Sequence, residues 1–158
     1  MLRHAKSSWK HDVTDHQRPL KGRGRRDAKL VSNHIRDSIE APDKIVCSGA
    51  VRAQSTANYF KNAWDISDSD FVTNNELYDF SGQQVMSVIK GLKNKWETVM
   101  IVGHNHAFTS LVNMLGSSYL ENLPTCGFVI IQFDEDSWSD ITGGTTLKKI
   151  IPRNLKDQ

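Results

Sequence analysis

Apolar residues along the chain fall into two kinds of run. In RRDAKLVSNHIRDSIEA, beginning at Arg25, residues Ala28, Leu30, Val31, His34, Ile35 and Ile39 recur near helical spacing, and Pro42 closes the segment. RAQSTANYFKNAW (52–64) places Ala53, Thr56, Ala57, Phe60 and Trp64 on one helical stripe. AFTSLVNML (107–115) reads as a helix stopped by Gly116. Ser81 with Gln84 three residues on forms a capping box before a helix over Gln84–Leu92. The second kind of run is short and continuously apolar: DKIVCS (43–48), ETVMIVG (97–103) and GFVIIQF (127–133), with TTLKKIIP (145–152) and the weaker DFVTN (70–74). Residues 5–24 carry neither pattern and read as a polar loop ending in a helix start.

Strands alternating with helices predict an α/β fold, a three-layer sandwich whose mostly parallel central sheet has helices on both faces. The last two strands have no long helix between them, so at least one pairs antiparallel. With no internal repeat and no linker, the 158 residues read as a single domain, 1–158. The apolar run before Arg3-His4 holds only Met1 and Leu2, where a strand usually has about five residues. If the strand continues upstream of Met1, an apolar extension of about five or six residues should raise stability and activity; if neither changes, the short strand is sufficient as written.

Composition changes this picture little. The net charge of +2 excludes a chain-wide field for nucleic acid, so any preference for anions is local. Cys47 and Cys126 lie in or beside apolar runs and read as buried thiols of a reducing compartment. No apolar run approaches the ~18–20 residues of a membrane span, and polar Arg3 to Lys6 interrupt any signal-peptide core. The expectation is a cytoplasmic protein with neither membrane nor nucleic acid as partner. Gly22-Arg23-Gly24-Arg25-Arg26 reads as a helix start set by Gly24 with a solvated basic face, one able to steer an acidic protein.

Ligands of open α/β sheets bind beyond the carboxyl ends of the strands. Arg3-His4 follows the first apolar run, Gly49-Ala50-Val51-Arg52 the second, and His104-Asn105 the run VMIVG. Two arginines and two histidines thus share one edge with helix N-termini, which favour anions. Guanidinium forks match phosphate oxygens, and a neutral imidazole can attack phosphorus to become a phosphohistidine. The surrounding cations would stabilise the transferring phosphoryl group in place of magnesium, so no metal and no cofactor is expected. His104-x-His106 has the look of a zinc pair, but no nearby cysteine or carboxylate completes a ligand set, and His106 is expected at the pocket mouth or in solvent.

In order along the chain, Arg3-His4-Ala5, DHQRPLKGRGRRDA (15–28), SGAVRAQSTA (48–57), NELYDFS (75–81) and VGHN (102–105) resemble the motifs of the histidine phosphatase superfamily, which includes the phosphoglycerate mutases. Within it the likeness is to the small SixA-type phosphohistidine phosphatases. The resemblance implies a phosphoglycerate mutase-like fold, with His4 as the phosphorylated nucleophile and Arg3, Arg52 and His104 completing a phosphate pocket. It implies that Arg18 reaches the same phosphate, and that Ser48 either donates a hydrogen bond near Arg52 or caps the turn. The acid that protonates the leaving group is Asp15 or Glu76, with Asp12 a lesser candidate. The stretch from Ser69 to Gly103 holds one strand and one helix and leaves no segment for a large lid. The expected activity is hydrolysis of a phosphohistidine protein or another phosphomonoester. The expected partner is thus a phosphorylated protein, such as a phosphohistidine-containing domain, or a small phosphomonoester. Mutase-like phosphotransfer and a catalytically silent phospho-ligand binding module are the alternatives.

Overall fold

The structure, a computed structural model, describes residues 1–158. The strands are β1 (Leu2–Arg3), β2 (Lys44–Cys47), β3 (Phe71–Thr73), β4 (Val99–Gly103), β5 (Phe128–Gln132) and β6 (Thr145–Ile150). The helices are α1 (Gly22–Ser38), α2 (Val51–Ala63), α3 (Gln83–Lys90), α4 (Ala107–Leu115) and α5 (Pro152–Lys156). All six strands join one sheet in the order β3-β2-β4-β1-β5-β6. β3, β2, β4 and β1 pair parallel, while β5 pairs antiparallel with both β1 and β6. The fold is an α/β sandwich, a largely parallel sheet with helices packed on both faces.

Alternation along the strands divides the core into two layers. Ile45, Cys47, Met100, Val102 and Phe128 point to the face covered by α1 and α2, where Ala28, Val31, Ile35, Ala53, Ala57 and Phe60 meet them. Val46, Ile101 and Val129 point to the other face and pack on Val85, Ile89, Phe108, Leu111 and Leu115 of α3 and α4. Both cysteines are buried and free. No helix is long and apolar enough to cross a membrane.

The structure departs from the sequence pattern at several helix ends. α1 begins at Gly22, ahead of Arg25, because Lys21 N–H is held by Lys6 O at 3.0 Å. Gly24 lies inside the helix, and a Cβ there would stand 2.1 Å from Lys6 O, so its role is the close crossing of the N-terminal loop. His34 is exposed, and the inward stripe instead includes Asp27 and Ser32. Asp27 is buried against Lys156 Nζ at 2.6 Å, an ion pair that ties α1 to α5. The capping box at Ser81 is replaced by Asp79, whose carboxylate accepts from the N–H groups of Ser81, Gly82, Gln84 and Val85. Pro152 opens α5 rather than ending β6, as expected of proline in a first helical turn.

β1 is short, yet it lies between β4 and β5. Met1 exchanges hydrogen bonds with Val129, its amino group donating at 2.7 Å and its carbonyl accepting at 2.9 Å. Burial lowers the pKa of that amino group to about 5. Beside Met1 is a cavity of about 610 Å³ lined by Val99 and Met100 of β4, Ile130 and Ile131 of β5, and Trp64. An extended segment fused ahead of Met1 would run opposite Met100 and Val99 on one side and Ile130 and Ile131 on the other, continuing the existing register. Filling this space with two or more apolar side chains, at about 1.5–3 kcal/mol each, should raise Tm by on the order of 5–10 °C. Thermal unfolding of a chain with five added Val/Ile residues checks this against a Gly/Ser extension of equal length, which should leave Tm unchanged.

Candidate active site

β1, β2 and β4 each lead at their carboxyl ends into a charged or titratable side chain of the pocket. The backbone of His4 is held on both sides, its N–H by Gly103 O and its C=O by Cys126 N–H, each at 3.1 Å. The His4 ring is buried, and Nδ1 lies 2.7 Å from Ala5 O. A carbonyl only accepts, so Nδ1 carries the proton and Nε2 keeps its lone pair. Arg52, in the first turn of α2, donates Nε–H toward that Nε2 at 3.4 Å, which fits the same tautomer. Thr56, one turn along α2, accepts from Ala5 N–H and donates to Arg52 O, stitching the two segments together.

Arg52 is buried and spends its other nitrogens on Asp15, one on the carbonyl at 2.7 Å and one on Oδ2 at 3.0 Å. Arg18 reaches in from the loop, donating Nε–H to Asp15 Oδ1 at 2.9 Å and Nη1–H to Ser7 Oγ at 2.6 Å. Its guanidinium lies 3.5 Å from the centre of the Trp9 ring. The Tyr78 hydroxyl donates to Asp15 Oδ2. His104 follows β4, with Nε2 2.9 Å from Ser48 Oγ and its ring 5.2 Å from that of His4. Arg3 donates to Leu123 O at 2.8 Å. Two buried polar atoms here have no protein partner, Arg3 Nε and His104 Nδ1.

Burial lowers the pKa of His4 to about 3, and the charges of Arg52, Arg3 and Arg18 act the same way against the Ala5 hydrogen bond. His104 is lowered to about 3 by burial, then by His4 and Arg52. Both rings are therefore neutral at neutral pH. Partial burial pulls the Asp15 carboxyl upward, but hydrogen bonds from Tyr78 and Arg18 and the charge of Arg52 hold it well below the usual carboxylate range. Asp15 is thus ionised in the free pocket.

Arg3, His4, Asp15, Arg18, Arg52 and His104 all line one cavity of about 430 Å³, with Trp9 and Phe80 at its mouth. Ser48 stands behind it, bonded to His104 and to Ala50 N–H at 3.3 Å rather than to Arg52. Glu76 and Asp12 are exposed outside the lining, and His106 is exposed to solvent. Tyr78, Ser7, Trp9 and Phe80 are pocket or supporting residues that the sequence pattern did not single out. For Tyr78 the signal was present in NELYDFS: the turn Asn75–Leu77 buries Leu77, leaves Glu76 outside, and brings the tyrosine to Asp15.

Two neutral histidines and three arginines thus share one pocket at the carboxyl edge of a largely parallel sheet in an α/β protein. The chain belongs to the histidine phosphatase superfamily (branch 1), whose family model matches residues 1–83. An uncharacterized protein of Mycobacterium tuberculosis is 29% identical over 90% of this chain and 93% of its own length. The protein assigned as phosphohistidine phosphatase SixA in Agrobacterium tumefaciens superposes with a TM-score of 0.80 at 25% identity, over 96% of this chain and 95% of that one. The protein histidine phosphatase SixA complexed with tungstate gives a TM-score of 0.82 at 20% identity, over 98% and 96% of the two chains.

The histidines make stability depend on pH. Their folded pKa values near 3 lie below the unfolded value of about 6.5, so the unfolded chain binds these protons first. Their contribution is at its most favourable above about pH 6.5 and is lost as pH falls from there toward 3. Denaturant midpoints should fall between pH 7 and pH 4, and His104→Gln should flatten that slope. An unaltered slope in the variant would place the loss elsewhere.

Proposed function

We propose that the protein is a metal-independent phosphatase that removes the phosphoryl group from a phosphohistidine protein or another phosphomonoester through a phosphohistidine intermediate on His4. The observation that carries this is the His4 ring: neutral, its proton fixed on Nδ1 by Ala5 O, and its free Nε2 turned toward Arg52. Arg3, Arg18, Arg52 and His104 hold the phosphoryl oxygens, with Arg3 Nε and His104 Nδ1 available without breaking a protein hydrogen bond. Ser48 orients His104. Nε2 attacks phosphorus, the bond to the leaving oxygen or nitrogen breaks, and the imidazolium that forms keeps its Nδ1–H on Ala5 O. Water then attacks phosphorus, orthophosphate leaves, and neutral His4 returns.

Asp15 is the carboxylate in reach of the leaving group, and Glu76 lies outside the pocket. A phosphoryl dianion competes for the Arg18 and Arg52 donors that Asp15 holds in the free site. Released beside that dianion, the carboxylate takes up a proton, gives it to the leaving atom, and later accepts one from the attacking water. The pocket mouth is open, which suits a phosphate displayed on a protein surface and disfavours holding a small product for return transfer. The SixA structures with the same fold are those of a protein histidine phosphatase in one case and a protein assigned that activity in the other.

A chromogenic phosphomonoester assayed with chelator present should be hydrolysed by the wild type and at least about 10³-fold more slowly by His4→Ala. Equal rates in the two would remove His4 as nucleophile. No rate in either, with tungstate still bound, would make the protein a phospho-ligand binding module. Asp15→Asn should lower kcat for alkyl phosphates by about 10²-fold while tightening tungstate binding, because Arg18 and Arg52 lose a competing anion. Titration calorimetry with tungstate checks the second half.

A further inference from the structure

Charge is unevenly shared along this chain. Residues 1–30 hold nine Lys and Arg against three Asp, while the rest hold eleven against fifteen acidic residues. Of the three aspartates, Asp15 is inside the pocket and Asp27 is buried in ion pairs, leaving Asp12 as the exposed one. Lys6, Lys10, Lys21, Arg23, Arg25 and Arg26 are all exposed. They form one surface with the pocket mouth: Lys6 lines the mouth, Lys21 N–H donates to Lys6 O, and Ser8 N–H donates to Pro19 O at 2.8 Å. The loop and the first turn of α1, joined beside the pocket mouth, therefore carry six exposed basic side chains.

Two aromatic side chains stand at the mouth of the pocket beside this basic surface. Trp9 is 76% exposed, held by Arg18 beneath it, and Phe80 is 47% exposed against Tyr78 and His104. Trp9 adds little to the core at that exposure. Exposed aromatics bordered by charge have the anatomy of a protein-binding patch, where aromatic anchors dominate affinity and charges set encounter rate. A nucleic acid fits this pocket poorly, since its internal phosphates are diesters and only a chain end offers a terminal phosphoryl group.

We infer that Trp9, Phe80 and the basic surface formed by Lys6, Lys21, Arg23 and Arg26 dock an acidic protein that presents its phosphoryl group to the pocket. The nature of the presented group rests on the phosphatase reading, whereas docking does not require turnover. The test compares two substrates, an acidic phosphotransfer domain phosphorylated on histidine and free phosphoimidazole. In Lys21→Glu/Arg26→Glu, kcat/KM for the domain should fall about 10- to 100-fold, and that for phosphoimidazole should stay within about twofold, which also reports correct folding. Raising salt should slow the wild type on the domain far more than on phosphoimidazole. Equal responses of both substrates to the charge reversal overturn the inference. So does a single-stranded oligonucleotide that binds through these residues when the acidic domain does not. If the wild type turns over neither substrate, calorimetric binding of the phosphorylated domain decides docking by itself. Salt-sensitive binding lost in the double variant supports docking although the phosphatase reading has failed, and absence of binding overturns docking as well.

Discussion

Three guanidinium groups brought to one pocket repel one another, and the Asp15 carboxylate is the counter-ion that lets the chain close around them. It accepts from Arg18 on one oxygen and from Arg52 and Tyr78 on the other, while its carbonyl takes a further Arg52 donor. Without it Arg52, almost wholly buried, would be a charge with little to face. Asp15 is itself partly open to solvent, so the arrangement is firm toward the arginines and loose toward the mouth. The same arginines act with burial to keep His4 neutral, so the positive charge of the pocket and the uncharged state of that imidazole have one origin.

The fold supplies the rigidity that this balance needs. The pocket side chains His4, Arg52 and His104 follow three adjacent strands, and each is tied back to a neighbouring element. His4 is held by backbone hydrogen bonds to Gly103 and Cys126, Arg52 by Thr56 within α2, and His104 by Ser48 at the end of β2. Ser48 and Thr56 are fully buried polar residues whose hydrogen bonds are made within the site. Each would look like a misplaced hydroxyl in a hydrophobicity profile and is a brace in three dimensions.

The order of strands and helices was legible because period and alternation are local. Ile45, Val46 and Cys47 do point to alternate faces, and α4 spans the residues its spacing predicts. What failed were features settled by a partner far along the chain or by the exact geometry of a turn. Asp27 is inside because Lys156, near the far end of the chain, meets it. Hydropathy alone placed His34 inward in its stead. The start of α3 is capped by Asp79 through four backbone N–H groups, a geometry that a Ser-to-Gln spacing imitates. In the site, the arginines and histidines were legible as residues following strands. Which carboxylate joins them was not, because Asp15 and Glu76 both lie in short turns within motifs, and only the path of each backbone decides which one faces the arginines.

β1 shows how far such a site can stand apart from its supporting strand. Its two residues are few for a strand at the centre of a sheet, and the space beside Met1 is an apolar cavity rather than packed core. Yet His4 is fixed from the other direction. The hydrogen bonds of His4 to Gly103 and Cys126, and of Ala5 to Thr56, all lie beyond the carboxyl end of β1. The position of the His4 ring thus depends first on β4, α2 and the Cys126 turn, and only second on what precedes Leu2. Loose packing at the amino end of β1 therefore acts mainly on global stability, while the geometry of the pocket is set by contacts that the cavity does not touch.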